Sequence, residues 1–423
     1  MSDTGLPARK AALFLLDRVL GEGRMLSDLA GSPALTALPP PERARAQRLA
    51  ADTLRGLERA DRLLQRHLRK PPPLSVRNIL RLATRELADG GAAHGVVNAA
   101  VQIAGADRRT AGMKGLVNAV LRKVAVDTPQ HWDALRPPRL PKWLRAPLAE
   151  AWGADAVAAM EAAHYAGAPL DLTAKRDAQA VAQAVGGKVL PTGSVRLAEG
   201  GQVSALPGYD SGDWWVQDAA AALAVRLLDP QAGDRVLDMC AAPGGKTLQA
   251  AAAGAQVTAL DISGPRLARV RENLDRCGLD AHIVEGDALT HAAQPYDAIV
   301  LDAPCSATGT IRRHPDLPHA RDGSEFAALI ARQAEMLDHA LTLLVPGGRL
   351  VFCTCSLLPD EGECQVDAAL ARHPGLRVDR AALDRAGVDP AWITPEGGLR
   401  LRPDHWPDLG GMDGFYMAAL RKG

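Results

Sequence analysis

The sequence predicts a multidomain chain, with an all-α bundle at the amino end and an α/β doubly wound sheet at the carboxyl end. Three observations predict it. Up to about residue 126, apolar residues recur at spacings of three and four with no strand-like alternation, as in Ala12, Leu15, Leu16, Val19 and Leu20. From about residue 212 the rhythm becomes strand, loop, helix, repeated, the pattern of a parallel sheet covered by helices. A glycine-rich loop opens a helix directly after the first of those strands, where such sheets bind ligands.

The elements follow in order. Pro39-Pro40-Pro41, Pro71-Pro72-Pro73 and Gly90-Gly91 cut the helical region into separate helices, because proline removes a backbone donor and glycine weakens a helix. Pro137-Pro138-Arg139-Leu140-Pro141 reads as a linker. A helical stretch from Trp143 to Ala163 and short strands at Leu170–Ala174 and Gly187–Leu190 make a small α+β unit. Strands are then expected at Arg235–Met239, Gln256–Leu260, His282–Glu285, Ala298–Leu301 and Arg349–Cys353. The expected domains are residues 1–130, a connecting segment 131–210, and residues 211–423.

Composition bounds the function. The 423 residues carry no net charge, yet residues 1–150 hold 25 Lys/Arg against 14 Asp/Glu. An excess of that size suits an anionic partner, and phosphate contacts are its natural use. All six cysteines lie beyond residue 230, which fits free thiols in a reducing cytosol better than a disulfide framework. No apolar run is long enough for a membrane span, and none is expected.

Val236-Leu237-Asp238-Met239 runs into Cys240-Ala241-Ala242-Pro243-Gly244-Gly245-Lys246-Thr247 and a helix. Gly245-Lys246-Thr247 mimics the end of a triphosphate loop, but that motif needs glycine where Cys240 stands. A nucleoside fits better. The second strand ends at Asp261, suited to ribose hydroxyls, the third at Asp287, suited to an adenine amino group, and the fourth at Asp302. Any one of these acids more often caps a helix. Together behind the glycine loop they suit S-adenosylmethionine, whose sulfonium and amino group are cationic.

Cys305, in Asp302-Ala303-Pro304-Cys305-Ser306, and Cys355, in Thr354-Cys355-Ser356, follow two of the buried strands. A methyl donor beside two thiols points to cytosine C5, a poor nucleophile until a thiolate adds at C6. One thiol would attack, and the other would accept the C5 proton so that the adduct resolves. Asp302 is the nearest candidate for protonating ring N3. Cys240, Cys277, Cys353 and Cys364 read as small buried hydrophobes in place of reactive groups. Cys353 and Cys355 lack a second ligand pair, so no metal is expected.

These motifs, with Ile311-Arg312-Arg313-His314-Pro315-Asp316, Trp215-Val216-Gln217-Asp218-Ala219 and Asp413-Gly414-Phe415-Tyr416, resemble the RNA cytosine-C5 methyltransferases. Arg77-Asn78-Ile79-Leu80-Arg81, His94-Gly95-Val96-Val97-Asn98 and Lys114-Gly115-Leu116-Val117-Asn118 resemble a NusB-like domain, a fusion found in the bacterial branch acting on 16S ribosomal RNA. The resemblance implies a Rossmann-like class I methyltransferase fold and small-subunit ribosomal RNA as partner. It implies that Cys240 to Lys246 line the methionine and ribose, Asp261 the ribose and Asp287 the adenine, with Asp302 near the methyl group. Cys355 becomes the nucleophile and Cys305 the release thiol. DNA methyltransferases use the cysteine of a Pro-Cys pair for attack, so a DNA substrate is disfavoured. Two other readings are another RNA such as tRNA, and an antitermination-like factor with a relic catalytic domain. The intact loop, acids and thiols speak against the relic. A cytoplasmic monomer is expected. Gly264 and Gly362 depart from the family pattern.

Overall fold

The computed structural model describes residues 5–198 and 201–423. They form two compact units: residues 5–166 with 311–322, and residues 167–198 and 201–310 with 323–423.

The first unit is helical. Its opening helix, Leu6–Glu22, buries Ala8, Ala11, Ala12, Leu15, Leu16 and Val19, a stripe at spacings of three and four. Helices Pro40–Arg55, Leu74–Ala88, Ala93–Ala106 and Lys114–His131 follow, the first two starting at the proline runs that punctuate the sequence. The helical stretch expected across Trp143 to Ala163 is made of two helices, Lys142–Trp152 and Ala154–Ala166. Gly153 between them takes φ 83°, a left-handed backbone that ends one helix before the next begins. Segment 311–322 belongs to this unit, where the Asp316 carboxylate accepts the Leu26 amide at 2.7 Å.

In the second unit β1 (Leu170–Ala174), β2 (Lys188–Val189), β3 (Val195–Leu197) and β4 (Trp214–Val216) form an antiparallel sheet ordered β2-β3-β1-β4. The sequence-expected connecting segment 131–210 is therefore divided between the units. Its helices cluster with the bundle and its strands with the larger sheet, a partition set by packing that proline content does not report. The buried pair Arg196–Asp171 explains the second attachment. Its guanidinium also donates to the Leu409 and Gly411 carbonyls at 2.7 Å each, and Asp171 accepts the Ala219 amide at 3.1 Å.

The larger sheet comprises β5 (Arg235–Met239), β6 (Gln256–Asp261), β7 (His282–Glu285), β8 (Tyr296–Asp302), β9 (Leu344–Thr354), β10 (Arg377–Val378), β11 (Leu399–Leu401) and β12 (Phe415–Arg421). Its order is β10-β12-β9-β8-β5-β6-β7, with β11 on β12. Strands β5 to β9 are parallel. This is the expected doubly wound sheet, and β12, running antiparallel to β9, makes it mixed. Val236, Ala298, Val300 and Val351 pack on one face, and Leu237, Ile299, Leu301, Leu350 and Phe352 on the other. Burial on both faces is why these strands read as continuous apolar runs.

Candidate active site

The glycine loop leaves β5 through Cys240, whose φ of 63° turns the chain sharply. Gly244 then caps helix Gly245–Ala252 at φ 104°, where a Cβ would lie 3.1 Å from Val270 Cγ1. Loop and β6 are stitched together: Ala241 N donates to Leu260 O at 3.0 Å, and Ala242 N to Asp261 Oδ2 at 3.1 Å. Asp261 is buried and its other oxygen accepts the Ser263 amide at 2.9 Å. Arg266, which the sequence reading passed over, donates to Ala242 O at 2.6 Å and lies 3.7 Å from Asp261 Oδ2. A solvated helix face gives no signal for that contact.

The acids do not all sit alike. Asp238 lies beneath the loop at 1% exposure, with Oδ2 accepting the Thr247 hydroxyl at 2.6 Å and Oδ1 buried without a hydrogen-bond partner. Burial raises its pKa to about 7. Asp287 is exposed, and its carboxylate accepts the Leu289 amide at 2.9 Å in its own turn. Asp302, at the end of β8, accepts Lys246 Nζ at 2.7 Å. Burial pulls the Lys246 pKa down, but the charge and hydrogen bond of Asp302 outweigh it, so the net shift is upward. The sequence reading made Asp302 the proton donor. In the structure its carboxylate accepts from the Lys246 ammonium, a partner the sequence did not reveal.

The parallel pairing of β8 with β9 brings the two thiols together. Cys305 Sγ lies 3.5 Å from Cys355 Sγ, both thiols half-buried. The hydrogen bond with Cys355, then burial, pushes the Cys305 pKa well up, so Cys305 keeps its proton. The loop carrying Cys305 is clamped: Gly309 N donates to Cys355 O at 2.9 Å and Gly414 N to Gly309 O at 2.8 Å. Cys353 is buried, its thiol bonded to Asp302 Oδ1 at 3.5 Å and pushed well up, chiefly by burial. Burial likewise raises Cys240 to about 12. Gly362 packs against Tyr416, where a Cβ would lie 2.7 Å from the ring, which rationalises its departure from the family pattern.

Two further residues escaped the sequence reading. Ile262, directly after Asp261, exposes 67% of its surface, an apolar side chain left open beside the loop. Glu361 is fully buried next to Ser306. An acid six residues past Cys355 was visible in the sequence, but nothing there marked it as buried.

A mixed sheet with a glycine loop after its first parallel strand and acids at the following strand ends defines a class I methyltransferase. Residues 225–421 match the family described as 16S rRNA methyltransferase RsmB/F, and residues 6–126 match the NusB family. The chain belongs to that ribosomal RNA methyltransferase family, in its form carrying a NusB domain. Ribosomal RNA small subunit methyltransferase B of Pseudomonas syringae pv. tomato is 41% identical over 335 residues, 73% of this chain and 72% of that one. The protein of the same name from Klebsiella pneumoniae is 35% identical over 445 residues, 98% of both chains. A crystal structure of a methyltransferase homolog protein from Pyrococcus horikoshii superimposes with a TM-score of 0.55 at 26% identity, covering 66% of this chain and 94% of that one.

The cofactor of the family is S-adenosylmethionine, and the residues present fit it. Gly244 leaves room against Val270, and the first amides of helix Gly245–Ala252 lack partners within the helix and can meet a carboxylate. The buried acids beyond them suit a cationic, hydroxyl-bearing ligand. Among the described residues no helix is long and apolar enough to cross a membrane.

Proposed function

We propose that the chain methylates C5 of a cytosine in small-subunit ribosomal RNA through a covalent bond between Cys355 and C6. The observation that carries this reading is the 3.5 Å approach of two thiols beside the cofactor loop, since simple methyl transfer to nitrogen or oxygen needs neither. S-adenosylmethionine supplies an electrophilic methyl group. In this reading residues Cys240 to Lys246 cradle its methionine and ribose, Asp261 takes the ribose hydroxyls, and Asp287 takes the adenine amino group beside Ile262.

Cys355 adds to C6 as the thiolate, placing negative charge on the pyrimidine and making C5 nucleophilic. The Lys246 ammonium, kept charged by Asp302, stabilises that charge at ring N3. Once C5 carries the methyl group, Cys305 accepts the C5 proton and the C6–S bond breaks, returning Cys355 as thiolate. Cys305 must have shed its own proton by then, and the adduct makes that easier. Bonded to C6, Cys355 is a thioether, and the hydrogen bond that chiefly raises the Cys305 pKa is gone. One proton leaves to solvent per methyl group transferred.

In this reading the basic residues 1–130 hold folded RNA, residues 211–423 carry out catalysis, the chain works as a monomer, and six free thiols suit the cytoplasm. The test is a denaturing gel with RNA and S-adenosylmethionine. Cys355→Ala forms no RNA-linked enzyme and no methylated RNA, whereas Cys305→Ala accumulates the linked species. The opposite pattern reverses the roles. Bisulfite mapping of ribosomal RNA from a deletion strain would then name the cytosine, and an unchanged map excludes this substrate.

A further inference from the structure

The two thiol-bearing strand ends share one brace. Glu361, fully buried in the turn Pro359–Glu361, accepts the Ser306 amide on Oε1 at 2.9 Å and the Ser306 hydroxyl on Oε2. Gln333, also fully buried, donates to Glu361 Oε1 and to the Pro304 carbonyl, both at 3.0 Å. The residues on either side of Cys305 are thus both tied to one buried carboxylate and its amide partner. The Glu361 main chain reaches the other thiol's strand: its carbonyl accepts the Thr354 hydroxyl at 2.8 Å, one residue before Cys355.

The hydrogen bonds of this network end on Pro304, Ser306 and Thr354, and the Glu361 charge acts on the Cys305 thiol through space as one of the smaller causes of its raised pKa. A carboxylate is chemically suited to the place, because every group aimed at it is a donor and it offers acceptors only. Such an arrangement is costly to bury unless its geometry matters, since a burying fold must replace all the water those oxygens lose.

We propose that Glu361 is a positioning residue for the release step, fixing the Pro304-Cys305-Ser306 turn so that Cys305 reaches the C5 proton of the adduct. This rests on the thiol roles proposed above. It predicts a split between two rates. Attack belongs to Cys355, which Glu361 touches only through its backbone, so replacing the side chain spares attack. Resolution belongs to Cys305, so it suffers.

The test uses the full chain, a 16S ribosomal RNA transcript and S-adenosylmethionine, following RNA-linked enzyme on denaturing gels under single turnover. For Glu361→Ala the linked species forms within about threefold of the normal rate and decays roughly 10- to 100-fold more slowly, the scale of a misplaced catalytic group. Glu361→Gln, which can still accept the Ser306 amide, restores decay to within about threefold. Equal loss in both rates, no change in decay, or a Gln variant as slow as Ala overturns the proposal. Should Glu361→Ala fail to fold, Ser306→Ala removes one brace alone and slows decay in the same direction, and unchanged decay there overturns it too. A Cys355→Ala protein that still links RNA defeats the underlying thiol reading, whatever Glu361 does.

Discussion

Lys246 Nζ donates to Asp302 Oδ2 at 2.7 Å, joining the first turn of the cofactor-loop helix to the end of β8. Lys246 also lies over the Phe415 ring, 5.5 Å from its centroid, so the ammonium is enclosed by the cofactor loop, β8 and β12. Burial lowers its pKa, but the charge and hydrogen bond of Asp302, with Asp238 adding to them, outweigh burial and keep it charged. Asp302→Asn should therefore strand a buried cation. Breaking a fully buried pair costs about 3–5 kcal/mol, and with the Asp302 side chain 30% exposed a loss of about 2 kcal/mol is expected. Methyl transfer should fall by roughly 100-fold or more, because the charge that meets the ring is misplaced. A melting temperature and turnover equal to the parent's would show that the pair is incidental.

Gly309 and Gly414 meet backbone to backbone. A Cβ on Gly309 would stand 1.9 Å from the Gly414 carbonyl oxygen, an atom that cannot rotate away. Gly309→Ala should push the Cys305 loop off β12 and cost about 2–3 kcal/mol by overpacking. Because Gly309 N also donates to the Cys355 carbonyl, both thiols should shift, and formation of RNA-linked enzyme should drop along with stability. Calorimetry on the variant beside a gel for the linked species checks both halves. Normal linkage in a destabilised protein would detach this clamp from the chemistry.

The sequence reveals what periodicity and spacing encode. The five parallel strands β5 to β9 were legible because burial on both faces makes them apolar runs; β5 to β8 emerged within two residues of their observed limits, while β9 starts at Leu344, five residues before the expected Arg349. The short strands Val195–Leu197, Trp214–Val216, Arg377–Val378 and Leu399–Leu401 were not, since two or three residues carry no period. At the site, the loop, acids and thiols stood out by residue type. What stayed hidden was pairing: that Lys246 answers Asp302, that Asp238 is buried under the loop, and that Glu361 braces Ser306. Those are contacts 9 to 56 residues apart in the chain, fixed by sheet order and not by local pattern.

His164 gives the helical unit a pH limit that can be measured on its own. It lies on helix Ala154–Ala166 at 6% exposure, and neither ring nitrogen has a hydrogen-bond partner. Burial, with the Arg312 charge adding to it, lowers its pKa from 6.5 to about 3. A histidine with a depressed folded pKa is neutral when folded and takes a proton when unfolded. Its contribution is therefore complete above pH 6.5 and is lost as pH falls toward 3. Each pH unit in that window costs about 1.4 kcal/mol, so roughly 2 kcal/mol should go between pH 6.5 and pH 5. Amide exchange along Ala154–Ala166, corrected for intrinsic rates, should report the loss as weaker protection at pH 5. His164→Leu removes the titrating group and leaves no donor unpaired, so its protection should be nearly flat over the same window. If the leucine variant weakens with acid as steeply as the parent, His164 is not the group that titrates.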